Sequence, residues 1–162
     1  MRIRQAQASD AADIAVIANG IIRDTLITFT TDERRPWEVA DDIRAKGPSF
    51  LVAEDGGRVV GFATYNLFRS GPGYAQCREI TIQLSARARG QGLGRALMHQ
   101  LQEVAHSEGV HVLVSGISSA NPAAIAFHAA LGFDEVGRMP EVGCKWGQRL
   151  DLVLMQKILS SG

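Results

Sequence analysis

The residues best suited to chemistry stand in one short run, Arg89-Gly90-Gln91-Gly92-Leu93-Gly94-Arg95, with Arg87 two positions before it. An alternating apolar stretch precedes the run and an amphipathic one follows it, which places the glycines at a strand-to-helix turn. The first amides of a helix have no carbonyl one turn back, and with the helix dipole they favour an anion at that end. Glycines let the backbone close on a phosphate, and the three arginines add positive charge. A tight connection with no ligand would use the same glycines, so the run alone leaves both readings open. Two other phosphate-binding patterns are absent. No GxxxxGK followed by Ser or Thr occurs, and the dinucleotide pattern GxGxxG would need glycine where Arg95 stands.

Other reactive side chains are scattered. His99, His106 and His111 form no ligand spacing with acidic residues, and Cys77 and Cys144 lack the CxxC arrangement, so neither a metal nor a disulfide framework is expected. His128 lies among Ile125, Phe127 and Leu131, the setting of a core histidine. Asn121 before Pro122 reads as a helix cap. Glu79 reads, from its surroundings alone, as a strand carboxylate.

The elements that must position these groups follow from periodicity. Residues 2–7 form a first strand, and Ser9 is the expected cap of a helix carrying Ile14, Ile17, Ala18, Ile21 and Ile22. Pro36 and Gly47 frame a second helix, with Trp37, Ala40 and Ile43 on one side. Strands at 50–54 and 58–65 flank the hairpin signal Asp55-Gly56-Gly57. Residues 74–84 give a strand leading into the glycine turn. A helix with Leu93, Leu97, Leu101 and Val104 follows, then a strand at 110–114 parallel to the one ending at Leu84, because such crossovers join parallel strands. Asn121-Pro122 and Gly132 bound a fourth helix, and alternation returns around Leu150, Leu152 and Leu154. The order β-α-α-β-β-β-α-β-α-β-β describes a mixed α/β domain, expected to be single over 1–162.

Composition narrows the function classes. The 162 residues are 46% hydrophobic and 21% charged with a formal net charge of zero, so no nucleic-acid footprint or electrostatic membrane docking is indicated. No apolar stretch approaches the roughly 20 residues needed to span a bilayer, and the first residues carry Arg2, Arg4, Asp10 and Asp13 rather than a signal-peptide core. A reduced, cytoplasmic setting is expected.

Arg89, two residues, Gly92, one residue and Gly94 resemble the pyrophosphate-binding motif of the GNAT superfamily of acetyl-CoA-dependent N-acetyltransferases. Asn121, Ala123, Ala124, His128, Gly132 and Phe133 resemble the later motif of that superfamily. The likeness extends to its phosphinothricin and methionine sulfoximine N-acetyltransferase branch. It is carried by Asn19, Thr25 and Thr28-Phe29; by Phe68-Arg69, Tyr74 and Glu79-x-Thr81-Ile82; and by Glu141-Val142-Gly143-x-Lys145 with Asp151. Four positions depart from that branch: Gly71, Cys77, Gln83 and Arg149, all toward the amine side as the family is built.

The resemblance implies a GNAT fold, a mixed sheet of about seven strands flanked by about four helices. It implies acetyl-CoA as cosubstrate, no metal, a small amine as acceptor with direct attack in a ternary complex, and a homodimer. Cofactor contacts fall on the backbone of Ile82 and Leu84, on Arg89, Gly90, Gln91, Gly92, Leu93, Gly94 and Arg95, and on Asn121. Glu79 becomes the general base and His128 an acid, base or positioning group. Phe29, Arg69, Tyr74 and Lys145 become the acceptor pocket. A polyamine, another amino acid or a peptide N-terminus is the alternative acceptor, and a non-catalytic acetyl-CoA sensor is the alternative of a different class.

Overall fold

The structure, a computed structural model, describes residues 1–159. Its elements are β1 (Arg2–Gln5), α1 (Ala11–Asp24), α2 (Pro36–Lys46), β2 (Phe50–Asp55), β3 (Arg58–Leu67), β4 (Cys77–Leu84), α3 (Leu93–Ser107), β5 (Val112–Ser118), α4 (Pro122–Ala130), β6 (Asp134–Lys145) and β7 (Gln148–Ile158). This is the expected order. The strands form a seven-stranded mixed sheet in the order β1-β2-β3-β4-β5-β7-β6. β4 and β5 pair in parallel through Cys77↔Val112, Arg78↔Leu113 and Glu79↔Val114, as the crossover through α3 requires. β5 and β6 each pair antiparallel with β7.

Local chemistry explains most boundaries. The β2–β3 hairpin turns on Gly56 and Gly57 at φ +59° and +80°, the two left-handed positions of a type I′ turn. Pro36 opens α2 and Gly47 ends it. Four expectations are corrected. Ser9 does not cap α1: it lies inside a short 3₁₀ turn, Ala8–Asp10, that runs into the helix, and the Asp10 carboxylate closes that turn by accepting from the Gln7 amide at 2.8 Å. The same carboxylate accepts two bonds from Arg4, at 2.8 and 2.9 Å, which hold it below the usual range for an aspartate. Trp37 is 62% exposed, while α2 buries Val39 and Ile43; two residues from Val39 is about 200° around a helix, so Trp37 points away. Tyr74 belongs to a 3₁₀ turn after Pro72, and β4 begins at Cys77. The strand expected at 110–114 runs from Val112 to Ser118.

The chain packs as two compact units. The first comprises Met1–Asn19, Glu33–Tyr65 and Thr81–Gly109; the second comprises Gly20–Asp32, Asn66–Ile80 and the chain from Val110 onward. Phe50, Phe62, Leu97, Met98 and Leu101 are fully buried in the first, with the Phe50 and Phe62 rings stacked at 5.9 Å. In the second the buried residues include Leu113, Ile117, Phe133, Val153 and Met155, together with His128 and Lys145.

Candidate active site

In the first unit the glycine turn is set by backbone conformation. Gly90 and Gly92 lie at φ +77° and +78°, a region costly for side-chain-bearing residues. A Cβ at either would meet nothing within 4 Å, so conformation and not crowding requires glycine, and the turn is open on that side. Gly92 is the N-cap of α3, and the first intrahelical bond runs from the Ala96 amide to the Gly92 carbonyl at 3.1 Å. The amides of Leu93, Gly94 and Arg95 precede it and point out of the helix end. The first turn of α3 carries no acidic residue, while Arg87, Arg89 and Arg95 are exposed around it. The Gln91 side chain donates to the Arg87 carbonyl at 2.9 Å and braces the turn. Leu93 is buried, anchoring the helix start.

Ile82 and Leu84 stand half-exposed near the end of β4. The Leu84 side chain packs on Gly61 of β3. Beside them Gln83 Oε1 and Ser85 Oγ are buried without a hydrogen-bond partner among the described residues. Such atoms cost about 1–3 kcal/mol when left unpaired, and a bound amide-bearing ligand or water would satisfy them. An open, amide-lined, cationic turn next to unpaired polar atoms fits a pyrophosphate carried on an amide-rich arm.

The second unit holds the remaining candidates. Glu79 is exposed on β4, and its carboxylate reaches over β5, where a Cβ at Gly116 would stand 3.4 Å from Oε2. His128 is only 3% exposed. Its Nδ1 lies 2.7 Å from the Ala124 carbonyl, and its ring meets the edges of Phe127 and Phe133 at 5.3 and 5.2 Å. A carbonyl only accepts, so Nδ1 carries the proton and the unpartnered Nε2 is left as a lone pair. Burial pushes the imidazole below its ordinary value, partly opposed by the Ala124 bond. Asn121 caps α4 by accepting from the Ala124 amide at 3.2 Å, a structural role that already accounts for its presence.

The four acceptor-side candidates divide into two groups. Arg69 lies over the Phe68 ring at 5.4 Å, and Tyr74 meets the same ring edge-on at 6.1 Å. Phe29 lies directly on Gly143, where a Cβ would come within 2.6 Å of the ring. Lys145, expected to contact the acceptor, is 1% exposed, and its ammonium donates to the Thr25 carbonyl at 2.7 Å and to Thr28 Oγ1 at 3.1 Å, 4.8 Å from the Trp146 ring centre. The amine fastens the loop 25–28, and burial pushes its pKa down. Ser118 holds the same loop by donating to the Leu26 carbonyl at 2.7 Å.

Sequence reasoning passes over Gly116 and Ser118. Glycine inside a strand is the signal that marks the first; for Ser118 only the fold reveals the contact. Of the four departures, Gly71 lies against Tyr74, where a Cβ would be 3.5 Å from Cδ2. Cys77 is half-buried, its thiol pushed up by burial and then by the charge of Glu79. Gln83 carries the unpaired oxygen noted above, and Arg149 is exposed opposite Cys144.

Residues 19–133 match the acetyltransferase (GNAT) family. The chain is 38% identical over 161 residues to the L-methionine sulfoximine/L-methionine sulfone acetyltransferase of Salmonella typhimurium, covering 96% of this chain and 93% of that one. It is 32% identical over 167 residues to a phosphinothricin N-acetyltransferase of Streptomyces coelicolor, covering 98% and 96%. Among solved structures, yncA of Salmonella typhimurium, a putative acetyltransferase with its cofactor acetyl-CoA, superposes with a TM-score of 0.95 at 34% identity, over 100% of this chain and 95% of that one.

Proposed function

Because the chain belongs to the acetyltransferase (GNAT) family, we infer that it is an acetyl-CoA-dependent N-acetyltransferase whose acceptor is the free amine of a small amino-acid-like molecule of the methionine sulfoximine or phosphinothricin kind. The observation that carries this reading is the turn at Gly90 and Gly92, which leaves the first amides of α3 unpaired in an open site without acids.

Arg89 through Arg95 hold the pyrophosphate, and the β4 backbone at Ile82 and Leu84 pairs with the amide arm as an added strand does. Bound acetyl-CoA supplies an acyl carbon: one N–C bond forms, one C–S bond breaks, and a proton passes in balance from the amine nitrogen to the departing sulfur. Transfer is direct, in a ternary complex. Attack needs a neutral amine, and Glu79 is the group that takes the proton, directly or through water. His128, neutral and with Nδ1–H given to Ala124, presents a lone pair at Nε2. It therefore serves as a positioning or proton-accepting group rather than as the donor to sulfur. Phe29, Arg69 and Tyr74 line the acceptor side, with Lys145 acting through the loop it fastens.

Residues 1–162 act as one catalytic domain in this reading. Two copies associate, in keeping with the apolar residues Val136, Met139 and Val142 exposed on β6, and sedimentation tests this. A cytoplasmic setting fits the two free cysteines; among the described residues no helix is long and apolar enough to cross a membrane.

Thiol release from acetyl-CoA is the direct test, run against methionine sulfoximine, phosphinothricin, other amino acids, a polyamine and a peptide N-terminus. Turnover is expected with the first two. Binding of acetyl-CoA with no turnover on any amine would overturn the enzyme reading.

A further inference from the structure

Gly116 stands in the interior of β5, in register with Leu154 of β7. Its φ lies outside the left-handed region, so the backbone there accepts any residue. Glycine weakens a strand through its extra conformational freedom and missing side chain, and inside one it marks a place where space is needed. The space has two walls of unlike chemistry. A Cβ at this position would lie 3.3 Å from Leu152 Cδ1 and 3.4 Å from Glu79 Oε2, closer than or at the limit of ordinary contact. Gly116 is itself exposed, Glu79 is exposed and Leu152 half-buried, so solvent or a ligand reaches this floor. All three residues belong to the second unit.

We propose that Gly116 determines acceptor specificity: the methyl-sized space it leaves between the Glu79 carboxylate and Leu152 receives the substituent on the carbon that bears the acceptor's amine. The inference rests on the function proposed above and deepens it. The carboxylate attracts the ammonium group, and the leucine methyls offer an apolar surface to whatever branches from the adjacent carbon. An α-amino acid has such a branch. A straight-chain primary amine presents only a CH₂ there and needs less room.

Gly116→Ala fills the space with one methyl group. The ratio of kcat/KM for methionine sulfoximine to that for an unbranched alkylamine should fall about tenfold or more, the scale on which pockets discriminate single methyl-sized groups. Acetyl-CoA affinity should not change. Equal losses on both acceptors would overturn the proposal while leaving the enzyme reading intact. If wild-type protein acetylates no amine, the enzyme reading fails and the proposal falls with it. Leu152→Ala enlarges the same space from the other wall and serves if Gly116→Ala does not fold. It should raise relative activity on acceptors with a bulkier α-substituent, and an unchanged acceptor ranking would refute the assignment.

Discussion

The glycine turn of the first unit and the acceptor side of the second hold their working groups in different ways. Around Gly90 and Gly92 the outward-facing groups, proposed to meet the ligand, are backbone amides. They are oriented by two left-handed residues and a helix start, and they need no side chain from elsewhere in the chain. On the proposed acceptor side, the candidate side chains and the loop 25–28 beside them are held by contacts distant in sequence. Lys145 reaches Thr25 across 120 positions of sequence, Ser118 reaches Leu26 across 92, and Phe29 rests on Gly143. A site built from backbone binds a group common to every reaction of its kind. A site built from packed side chains can change its preference when a single contact changes, which fits the placing of Gly71 and Cys77 in the second unit.

The largest expected effect breaks this comparison at its reactive end. Glu79→Gln should lower kcat by about 10²–10⁴-fold, the usual loss for a general base, with acetyl-CoA affinity unchanged. Higher pH should partly rescue it by supplying neutral amine. Near-wild-type kcat at neutral pH on the best acceptor would remove Glu79 from the role.

Next in size is the turn itself. Gly92→Asp places an anion at the helix N-terminus and a side chain at φ +78°. Acetyl-CoA should bind roughly tenfold or more weakly by calorimetry, since the charge opposes the dipole that favours the phosphate. Gly92→Asn keeps the shape without the charge and should lose much less. Equal losses for the two would assign the effect to backbone strain.

Lys145→Met sharpens the other half. It removes two bonds from a buried ammonium and leaves the Thr25 carbonyl without its partner, a loss of about 1–3 kcal/mol in stability. The KM for the acceptor should rise while acetyl-CoA affinity holds. Because burial lowers the lysine's pKa in the folded state, the unfolded chain binds more protons between the folded value and the ordinary 10.5. Wild-type stability should therefore rise with pH across that interval, and the substitution should flatten the slope. Denaturant melts at several alkaline pH values read both effects.

The smallest effect concerns His128. Its folded-state pKa is also lowered, so protonation favours the unfolded chain, and stability should be lost as pH falls below the ordinary 6.5. His128→Gln should remove that loss. An identical acid dependence in the two proteins would mean that the ring is not held neutral by burial.

How much was legible in the sequence follows the same division. The order of elements, the hairpin at Gly56-Gly57, the start of α2 at Pro36 and the glycine turn all rest on interactions within a few residues. Residue type and spacing disclose these. Expectations failed where a partner lay far away. Trp37 faced outward because the tertiary packing of α2 selected Val39 and Ile43. Lys145, a charged side chain beside a turn, has no local mark of burial. The sequence alone determined a strand–turn–helix suited to a phosphate and a mixed α/β order, because backbone conformation and periodicity are local. Only the tertiary structure decided that Lys145 fastens a loop and that Gly116 leaves room beside Glu79, because those facts depend on which strands become neighbours.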